Sequence, residues 1–149
     1  MNINGTEVCF DAGLVGPWVA QRANMQYMAD RYTAIGRFKD GKLVAGVLYE
    51  DCNGANVVCH IAAEGQWANK TYMWLIFDYP FNQLGVKRIT TTVNPDNEVS
   101  QRFTEDLGFS VECKLKDAHP KGDLWVFRMF RDECKWLRLG DAIRKHRHS

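Results

Sequence analysis

The chain has 149 residues, of which 46% are hydrophobic and 25% are charged, and this composition fits one folded domain rather than a disordered segment or two domains. Its formal net charge of +1 gives no overall attraction to nucleic acid or to an anionic membrane. No apolar run approaches the roughly 18 residues that cross a bilayer, and the N-terminal segment lacks the basic and apolar regions of a signal peptide. We therefore expect a cytoplasmic protein without a membrane segment.

The cysteines do not form a recognisable framework. Their number is odd, and they show neither Cys-x-x-Cys spacing nor a histidine pair at the spacing of zinc ligands. We expect reduced thiols that pack as small hydrophobic residues, no metal site, and no nucleophilic cysteine. The cysteines are Cys9, Cys52, Cys59, Cys113 and Cys134.

The first half of the chain predicts an antiparallel meander of strands with one helix. The Asp40-Gly41 turn between two apolar runs indicates a hairpin. A helix is expected to begin at Pro17, since proline is favoured at a first helical position and helical spacing follows it. The predicted elements are a strand over residues 6–10, a helix carrying Trp18, Val19, Arg22, Met25 and Met28, hairpin strands over residues 33–38 and 43–50, and a strand over residues 57–61.

The second half alternates helices and strands. Asn69 and Asn97 are each placed to cap a helix, and Pro80 should kink or shorten the first of these helices. The predicted elements are a helix over residues 70–83, a strand over residues 86–93, a helix over residues 97–106, strands over residues 109–115 and 124–130, and a basic helical segment from residue 132.

These elements predict an α+β fold with a mixed sheet, in which an antiparallel meander is joined to one parallel crossover with flanking helices. The strand–helix–strand step over residues 56–93 is the expected crossover. Parallel pairing beside antiparallel pairing opens a sheet at strand ends, and ligands bind in such crevices. We expect a single domain over residues 1–131 and a basic, helical tail over residues 132–149.

The predicted tail is rich in positive charge. It could contact nucleic acid, an acidic partner or a cofactor phosphate, or it could be a solvated terminal extension. Its histidines lack further residues that would complete a metal site. The residues concerned are Arg138, Arg144, Lys145, His146, Arg147 and His148.

Several motifs occur in a defined order. They are the run Leu84-Gly85-Val86-Lys87-Arg88-Ile89, then Asn94, Asn97 and Ser100, then Leu107-Gly108-Phe109, preceded by Val44-Ala45-Gly46-Val47 in the hairpin. In this order the chain resembles the GNAT superfamily of acyl-CoA-dependent N-acyltransferases. The resemblance covers about residues 33–130, and small proteins of this type occur in tailed phages.

The resemblance implies that acetyl-CoA, as acyl donor, lies between the strand ending at residues 60–64 and the next strand. Its diphosphate would rest on the following loop and on the N-terminus of the next helix, where unpaired N–H groups favour negative charge. Asn94 and Asn97 also suit turns and caps, and Phe103 also suits the core. The implied cofactor-binding residues are Ile61, Ala62, Ala63, Trp67, Ala68, Asn69, Lys70, Thr71, Asn94, Asn97, Ser100 and Phe103.

Two segments depart from the family pattern. The phosphate loop retains only Gly65 of the family's glycine-rich pattern and contains the bulky Trp67. Thr104 stands five residues before Phe109, where many members carry the tyrosine that reprotonates the leaving thiolate. A threonine hydroxyl is a weaker acid than a phenol, whose pKa is about 10, so another residue or water is the alternative donor.

Acetyl transfer to an amine requires a base and donors for the oxyanion. Candidate bases are Glu64, His60 and Glu50, and Glu64 ranks first because it lies near the predicted strand end. The alternatives are an exposed loop carboxylate for Glu64, a hydrogen-bonded sheet histidine for His60, and a solvated hairpin residue for Glu50. The N–H groups near Ala62 and Ala63 are candidate oxyanion donors.

We predict from the resemblance an N-acetyltransferase in which an amine attacks the acetyl group of acetyl-CoA directly. The amine can be a protein N-terminus, a lysine or a small molecule. The alternative is a non-catalytic GNAT-fold binding protein, such as a phage factor that engages a host or virion protein. No membrane partner is expected, nucleic-acid binding through the basic tail is a weaker third option, and a protein partner, a monomer and a homodimer stay open.

Overall fold

A computed structural model describes residues 1–148, with side chains through Ile143. None of the helices in this part of the chain combines the length and the apolar character that crossing a membrane requires. Ser149 lies outside the described residues. The same holds for the side chains of five residues of the predicted basic tail, namely Arg144, Lys145, His146, Arg147 and His148.

One mixed sheet forms the centre of the molecule. Its strands are β1 Asn2–Ile3, β2 Thr6–Cys9, β3 Thr33–Lys39, β4 Lys42–Glu50, β5 Asn56–Ala63, β6 Arg88–Val93, β7 Ser110–His119 and β8 Gly122–Phe130. Their spatial order is β1-β2-β3-β4-β5-β6-β8-β7, and only β5 and β6 are parallel neighbours. The predicted meander and parallel step are confirmed, while β1 is an element that the sequence did not predict.

Helices pack on both faces of the sheet. The described residues form α1 Ala12–Ala23, α2 Lys70–Asp78, α3 Glu98–Leu107 and α4 Leu139–His148. Because side chains alternate along a strand, the two faces carry different residues. Leu48 and Ala62 pack with Val15 of α1. Tyr49 and Cys59 belong to the larger cluster on the other face, which contains the buried side of α2.

The predicted start of α1 at Pro17 is wrong, because the helix begins at residue 12. The Asp11 carboxylate accepts a hydrogen bond from the Gly13 N–H at 2.9 Å and caps the first turn. Pro17 lies inside the helix, where packing of α1 on the sheet outweighs the lost backbone hydrogen bond. The helix ends where Asn24 adopts a left-handed conformation (φ 53°), so Met25 and Met28, which were predicted to belong to it, lie outside it.

The predicted effect of Pro80 on the second helix is confirmed. Asn69 Oδ1 accepts the Tyr72 N–H at 2.8 Å and starts α2. The α-helix ends at Asp78, and a π-helical turn, Tyr79–Gln83, contains the proline. The proline therefore shortens the α-helix and leads the chain towards β6.

The first part of the predicted tail packs against the domain. Cys134 and Ile143 are buried, and Trp136 Nε1 donates a hydrogen bond to the Leu107 carbonyl at 2.8 Å. Before α4 the segment consists of two 3-10 turns, Arg131–Glu133 and Lys135–Arg138. The division of the chain at residue 131 stays a prediction.

Two glycines allow α1 to lie close to the sheet. A Cβ at Gly36 of β3 would lie 2.7 Å from Cγ2 of Val15, and a Cβ at Gly46 of β4 would lie 2.6 Å from Cγ2 of Val19. Carbon atoms in contact are about 3.5–4.0 Å apart, so neither position has room for a methyl group without movement. This close contact fixes the position of α1 over β3 and β4.

Gly36→Ala is expected to lower the free energy of unfolding by about 1–3 kcal/mol, because the added methyl group overlaps Val15. The measurement is urea unfolding followed by circular dichroism. In a Val15→Ala background, which lacks the overlapping methyl groups, the same substitution should cost clearly less. An equal cost in both backgrounds would contradict the close contact.

Candidate functional site

The parallel strands β5 and β6 separate along their length, as predicted. Their last paired residues are Val58 and Thr90. β5 nevertheless continues to Ala63 and stays paired with β4, while β6 continues to Val93 and stays paired with β8. The sheet therefore opens between two strands that each keep one partner.

The edge of β5 offers backbone groups to this opening. The Glu64 N–H donates to the Val44 carbonyl at 2.8 Å, which places the N–H of residue 64 on the β4 side. Because successive backbone groups of a strand point to alternate sides, those of Ala63 and Ile61 point towards β6. Beyond Val58 these groups have no strand partner among the described residues.

The opening contains a cavity of about 290 Å³. Small-ligand pockets have volumes of about 300–1,000 Å³, so this one suits an extended arm better than a bulky ligand. Its walls come from the end of α1 (Arg22, Ala23, Asn24, Met25), from β5 (His60, Ile61, Ala62, Ala63), from β6 and the turn after it (Thr91, Thr92, Val93, Asn94), and from α3 with its cap (Asn97, Val99, Ser100, Phe103, Thr104).

The structure brings part of the predicted site together. Nine predicted residues lie in the cavity wall, namely His60, Ile61, Ala62, Ala63, Asn94, Asn97, Ser100, Phe103 and Thr104. The remaining six lie outside that wall, namely Glu64, Trp67, Ala68, Asn69, Lys70 and Thr71. The roles assigned to all of them remain predictions.

The start of α3 is positioned by Asn97. Its Oδ1 accepts the Ser100 N–H at 3.0 Å, which is the predicted helix cap. The Thr104 hydroxyl donates to the Ser100 carbonyl at 2.7 Å, so its proton is already engaged with the helix backbone. Thr104 therefore occupies the position of the family tyrosine without presenting a spare proton to the cavity.

Side chains from β2 and β3 hold the loop between β5 and α2. Arg37 donates a hydrogen bond to the Trp67 carbonyl, and Asn69 Nδ2 donates to Thr6 Oγ1 at 2.8 Å. The Trp67 ring packs against Phe103, with ring centroids 5.7 Å apart, and does not enter the cavity. The opening between the strands is thus not plugged by Trp67.

His60, in the cavity wall, belongs to a chain of hydrogen-bonded polar side chains that also contains Glu50 and Arg31. Its Nε2 lies 2.7 Å from Oε2 of Glu50, and Oε1 of Glu50 accepts a hydrogen bond from Arg31 Nε at 3.0 Å. The Glu50 side chain is only 9% exposed, so its interpretation as a solvated hairpin residue is wrong. Because a carboxylate only accepts hydrogen bonds, Nε2 carries the shared proton, and in the neutral form of the His60 ring Nδ1 is then the acceptor.

Strand register and neighbouring side chains fix this arrangement. His60 lies opposite Leu48, so Glu50 is two residues further along β4 on the same face. The hydrogen bond to Glu50 raises the pKa of Arg31, which keeps the guanidinium charged. The ring of Tyr32 meets the His60 ring edge-on, with centroids 6.1 Å apart. The imidazole is therefore oriented by contacts on two sides.

Glu64, the residue ranked first as base, lies at the rim. Its carboxylate pairs with Arg22 Nε at 3.3 Å and is 54% exposed. Arg22 in turn lies over the Trp18 ring at 3.9 Å from the centroid. An exposed pair of this kind contributes about 0–1 kcal/mol. Of the three candidate bases, His60 is the one in the cavity wall.

Solved acetyltransferases share this architecture. Mutant forms of the spermidine/spermine N-acetyltransferase SpeG from Vibrio cholerae align at a TM-score of 0.66 and 14% identity, over 89% of this chain and 98% of that one. The N-acetyltransferase PseH from Campylobacter jejuni, in complex with acetyl coenzyme A, aligns at a TM-score of 0.52 and 13% identity, over 68% of this chain and 70% of that one. The protein has the GNAT acetyltransferase fold. No family model and no curated protein matches it by sequence.

Within this GNAT fold, the sequence analysis missed one wall of the cavity. Residues 22–25, at the end of α1, line it opposite α3. The signal was present in Asn24, a residue type that tolerates the left-handed conformation and therefore ends helices. The predicted helix ran on to Met28, whereas the observed helix ends at Ala23, so this turn was not expected.

The cysteines of this GNAT fold are all unpaired thiols. Burial raises the pKa of Cys59 to about 12 and that of Cys134 to about 11. Neither lines the cavity, whereas Cys52 and Cys113 are exposed on the surface. The geometry therefore offers no thiolate to the opening among the described residues.

In the folded protein at pH 8, iodoacetamide is expected to modify Cys52 and Cys113 and to leave Cys59 and Cys134 unmodified, because the buried thiols are neutral and inaccessible. Peptide mass spectrometry with and without denaturant measures this. Full modification of Cys59 without denaturant would contradict its burial. An acetyl thioester trapped on any cysteine would contradict direct transfer.

Proposed function

We propose that this protein is an acetyl-CoA-dependent N-acetyltransferase that acts on an amine by direct attack. One observation supports the proposal, namely that two features required for acetyl transfer occur in the same opening. The unpaired edge of β5 and His60, which is hydrogen-bonded to Glu50, lie in the wall of the same opening. A protein that only binds acyl-CoA would use the edge but would have no need for a shielded histidine–carboxylate pair beside it.

The residues of the opening fit the acyl arm of acetyl-CoA. The N–H and C=O groups of Ile61 and Ala63 can hydrogen-bond to an amide-containing chain, as a neighbouring strand would. Ala62 and Ala63 are small, and Ser100 of α3 and its cap residue Asn97 line the same cavity. Bound here, acetyl-CoA supplies an activated acyl thioester. The small side chains leave the backbone of β5 accessible to it.

His60 is proposed to take the proton of the acceptor amine at Nδ1. Its Nε2–H is held by Glu50, so only Nδ1 can accept, and the carboxylate stabilises the imidazolium that results. Arg31 holds Glu50 in place from the other side. The three residues thus keep the imidazole in one tautomer and one orientation.

Acyl transfer also creates negative charge that requires hydrogen-bond donors. The Ala63 N–H points into the opening and is the proposed donor. The Thr104 proton is engaged by the Ser100 carbonyl. Water is therefore the proposed proton source for the leaving thiolate, rather than a side chain in the tyrosine position.

The diphosphate is proposed to bind outside the cavity, on the loop after β5 and the N-terminus of α2. Trp67, Ala68, Asn69, Lys70 and Thr71 form this segment, and Lys70 is exposed and adds positive charge. A cavity of about 290 Å³ has no room for the whole cofactor. A binding segment beyond the cavity is consistent with that volume.

The second candidate is a GNAT-fold binding protein without catalysis, such as one that engages a host or virion protein. The loop after β5 favours it, because the Asn69 side chain is already used by the Tyr72 N–H and by Thr6. Only Gly65 in this loop permits close approach of the backbone to a phosphate. The two candidates make different predictions for acetyl-CoA binding and turnover.

Acetyl-CoA at a hundredfold excess over its dissociation constant is expected to raise the free energy of unfolding by about 2.7 kcal/mol, observed as a thermal shift. Ser100→Trp, which fills the cavity, should remove the shift. Ser110→Trp, on the exposed strand β7, is the matched control and should keep it. A wild-type protein without a shift would reject the cofactor and favour the second candidate.

His60→Ala is expected to lower kcat by about 10²–10⁴-fold while acetyl-CoA affinity stays the same, because a general base contributes a factor of that size. Thiol release from acetyl-CoA, measured over a panel of amines, peptides and spermidine, reports the rate. Glu64→Gln is the comparison variant and should retain the wild-type rate. The reverse result, in which Glu64→Gln loses activity and His60→Ala does not, would assign the base to Glu64.

A further inference from the structure

The sheet face that carries His60 extends beyond the part that α1 covers. α1 packs on β3, β4 and β5, whereas the side chains of Arg88 on β6 and Arg128 on β8, which lie on this face, are 24% and 27% exposed. The register places Thr90 opposite Arg128, and Val58 opposite Thr90. Arg128 therefore shares a face with His60 and lies two strands away from it. Neighbouring strands are about 4.8 Å apart, so the backbones of β5 and β8 are separated by roughly 10 Å.

Arg128 is the more weakly paired of the two arginines at the β8 end of this face, among the described residues. The two carboxylate oxygens of Glu112 accept hydrogen bonds from Nη1 and Nη2 of Arg88 at 2.8 and 2.6 Å. This pairing lowers the pKa of the Glu112 carboxyl. The nearest Arg128–Glu112 approach is 3.9 Å. Arg128 Nη1 is shielded from solvent and makes no hydrogen bond in the described part of the chain. Its guanidinium lies 4.9 Å from the centroid of the Phe130 ring, which holds it on the sheet face.

Charge is distributed unevenly along this face. At the β4 end, Arg31 is paired with both Glu50 and Asp51, which leaves one excess negative charge beside His60. At the β8 end, Arg88 and Arg128 share Glu112, which leaves one excess positive charge. The face thus attracts an ammonium group at the His60 end and an anion at the Arg128 end.

We infer that the acceptor is an amine that also carries a carboxylate, and that Arg128 binds this carboxylate while the amine reaches His60. The inference rests on the proposed function for the amine half and on the Arg128 geometry for the anion half. The guanidinium fork matches a carboxylate with two parallel hydrogen bonds. The carboxylate must be several bonds from the amine, because the two strands that carry these residues are not neighbours. A polycation without an anionic group would meet the excess positive charge at the β8 end.

The test compares acceptors that differ only in the anion. The series 4-aminobutanoate, 5-aminopentanoate and 6-aminohexanoate is measured against the corresponding amides, which keep the amine and the chain length. At least one acid should exceed its amide in kcat/KM by about tenfold or more. Arg128→Gln should remove that preference, and Arg128→Lys, which keeps the charge but loses the fork, should retain part of it. Lys114→Gln removes a charge on the edge strand β7, where Lys114 lies over Trp125, and should leave the preference unchanged.

A binding measurement separates this inference from the proposed function. The Nε–H signal of Arg128 in a proton–nitrogen NMR spectrum is expected to shift on titration with the amino acids, with and without CoA, and not with the amides. A shift in a protein that fails to turn over acetyl-CoA would support the anion site while rejecting the transferase. Equal kcat/KM for acids and amides, a preference that survives Arg128→Gln, or no NMR shift with any of the acids would overturn the inference.

Discussion

The structure depends on a parallel strand pair that stops halfway. The pairing of β5 with β6 ends at Val58 and Thr90. Beyond these residues β5 is paired only with β4, and β6 is paired only with β8. An isolated edge in the middle of a sheet is costly unless something pairs with it, since buried backbone groups require partners. The opening is therefore an incomplete sheet, and an extended, amide-bearing ligand is the kind of group that completes it.

The two faces of the sheet meet in that opening. α3 lies on the face of the larger hydrophobic cluster, to which Phe103 and Leu107 belong, while the end of α1 lies on the opposite face, and both line the same cavity. The His60 side chain lies on the α1 face of the sheet. It is two residues from Ala62 along β5 and opposite Leu48 on β4, and both of these residues pack against α1. On the proposed function the acceptor thus approaches from the α1 side. The close contact of α1 with Gly36 and Gly46 determines how much of that side stays accessible.

Much of this fold was predictable because its signals are local. Asn69 and Asn97 start helices by accepting N–H groups three residues later, and Pro80 ends an α-helix through its own ring. The start of α1 was missed because Pro17 carries the same local signal as a first-turn proline, and only burial against the sheet shows otherwise. The role of Glu50 was missed for a related reason. Its partners are Arg31, nineteen residues earlier, and His60, ten residues later, and only strand register brings them together.

The proposed choice of His60 as base rests on how well the charges around it are shielded from water, and not on how near a candidate lies to the end of β5 in the sequence. Glu64 is nearer to the strand end in sequence, but its carboxylate is 54% exposed and paired with a partly exposed arginine, so water and salt compete for it. The Glu50 side chain is 9% exposed and its two oxygens contact different partners, so its field acts on His60 with little screening. On the proposed function, a proton accepted by His60 lies beside a carboxylate that is already in place, whereas Glu64 would first have to leave Arg22. On the proposed function, the base is therefore indicated by strand register and not by the order of the motifs.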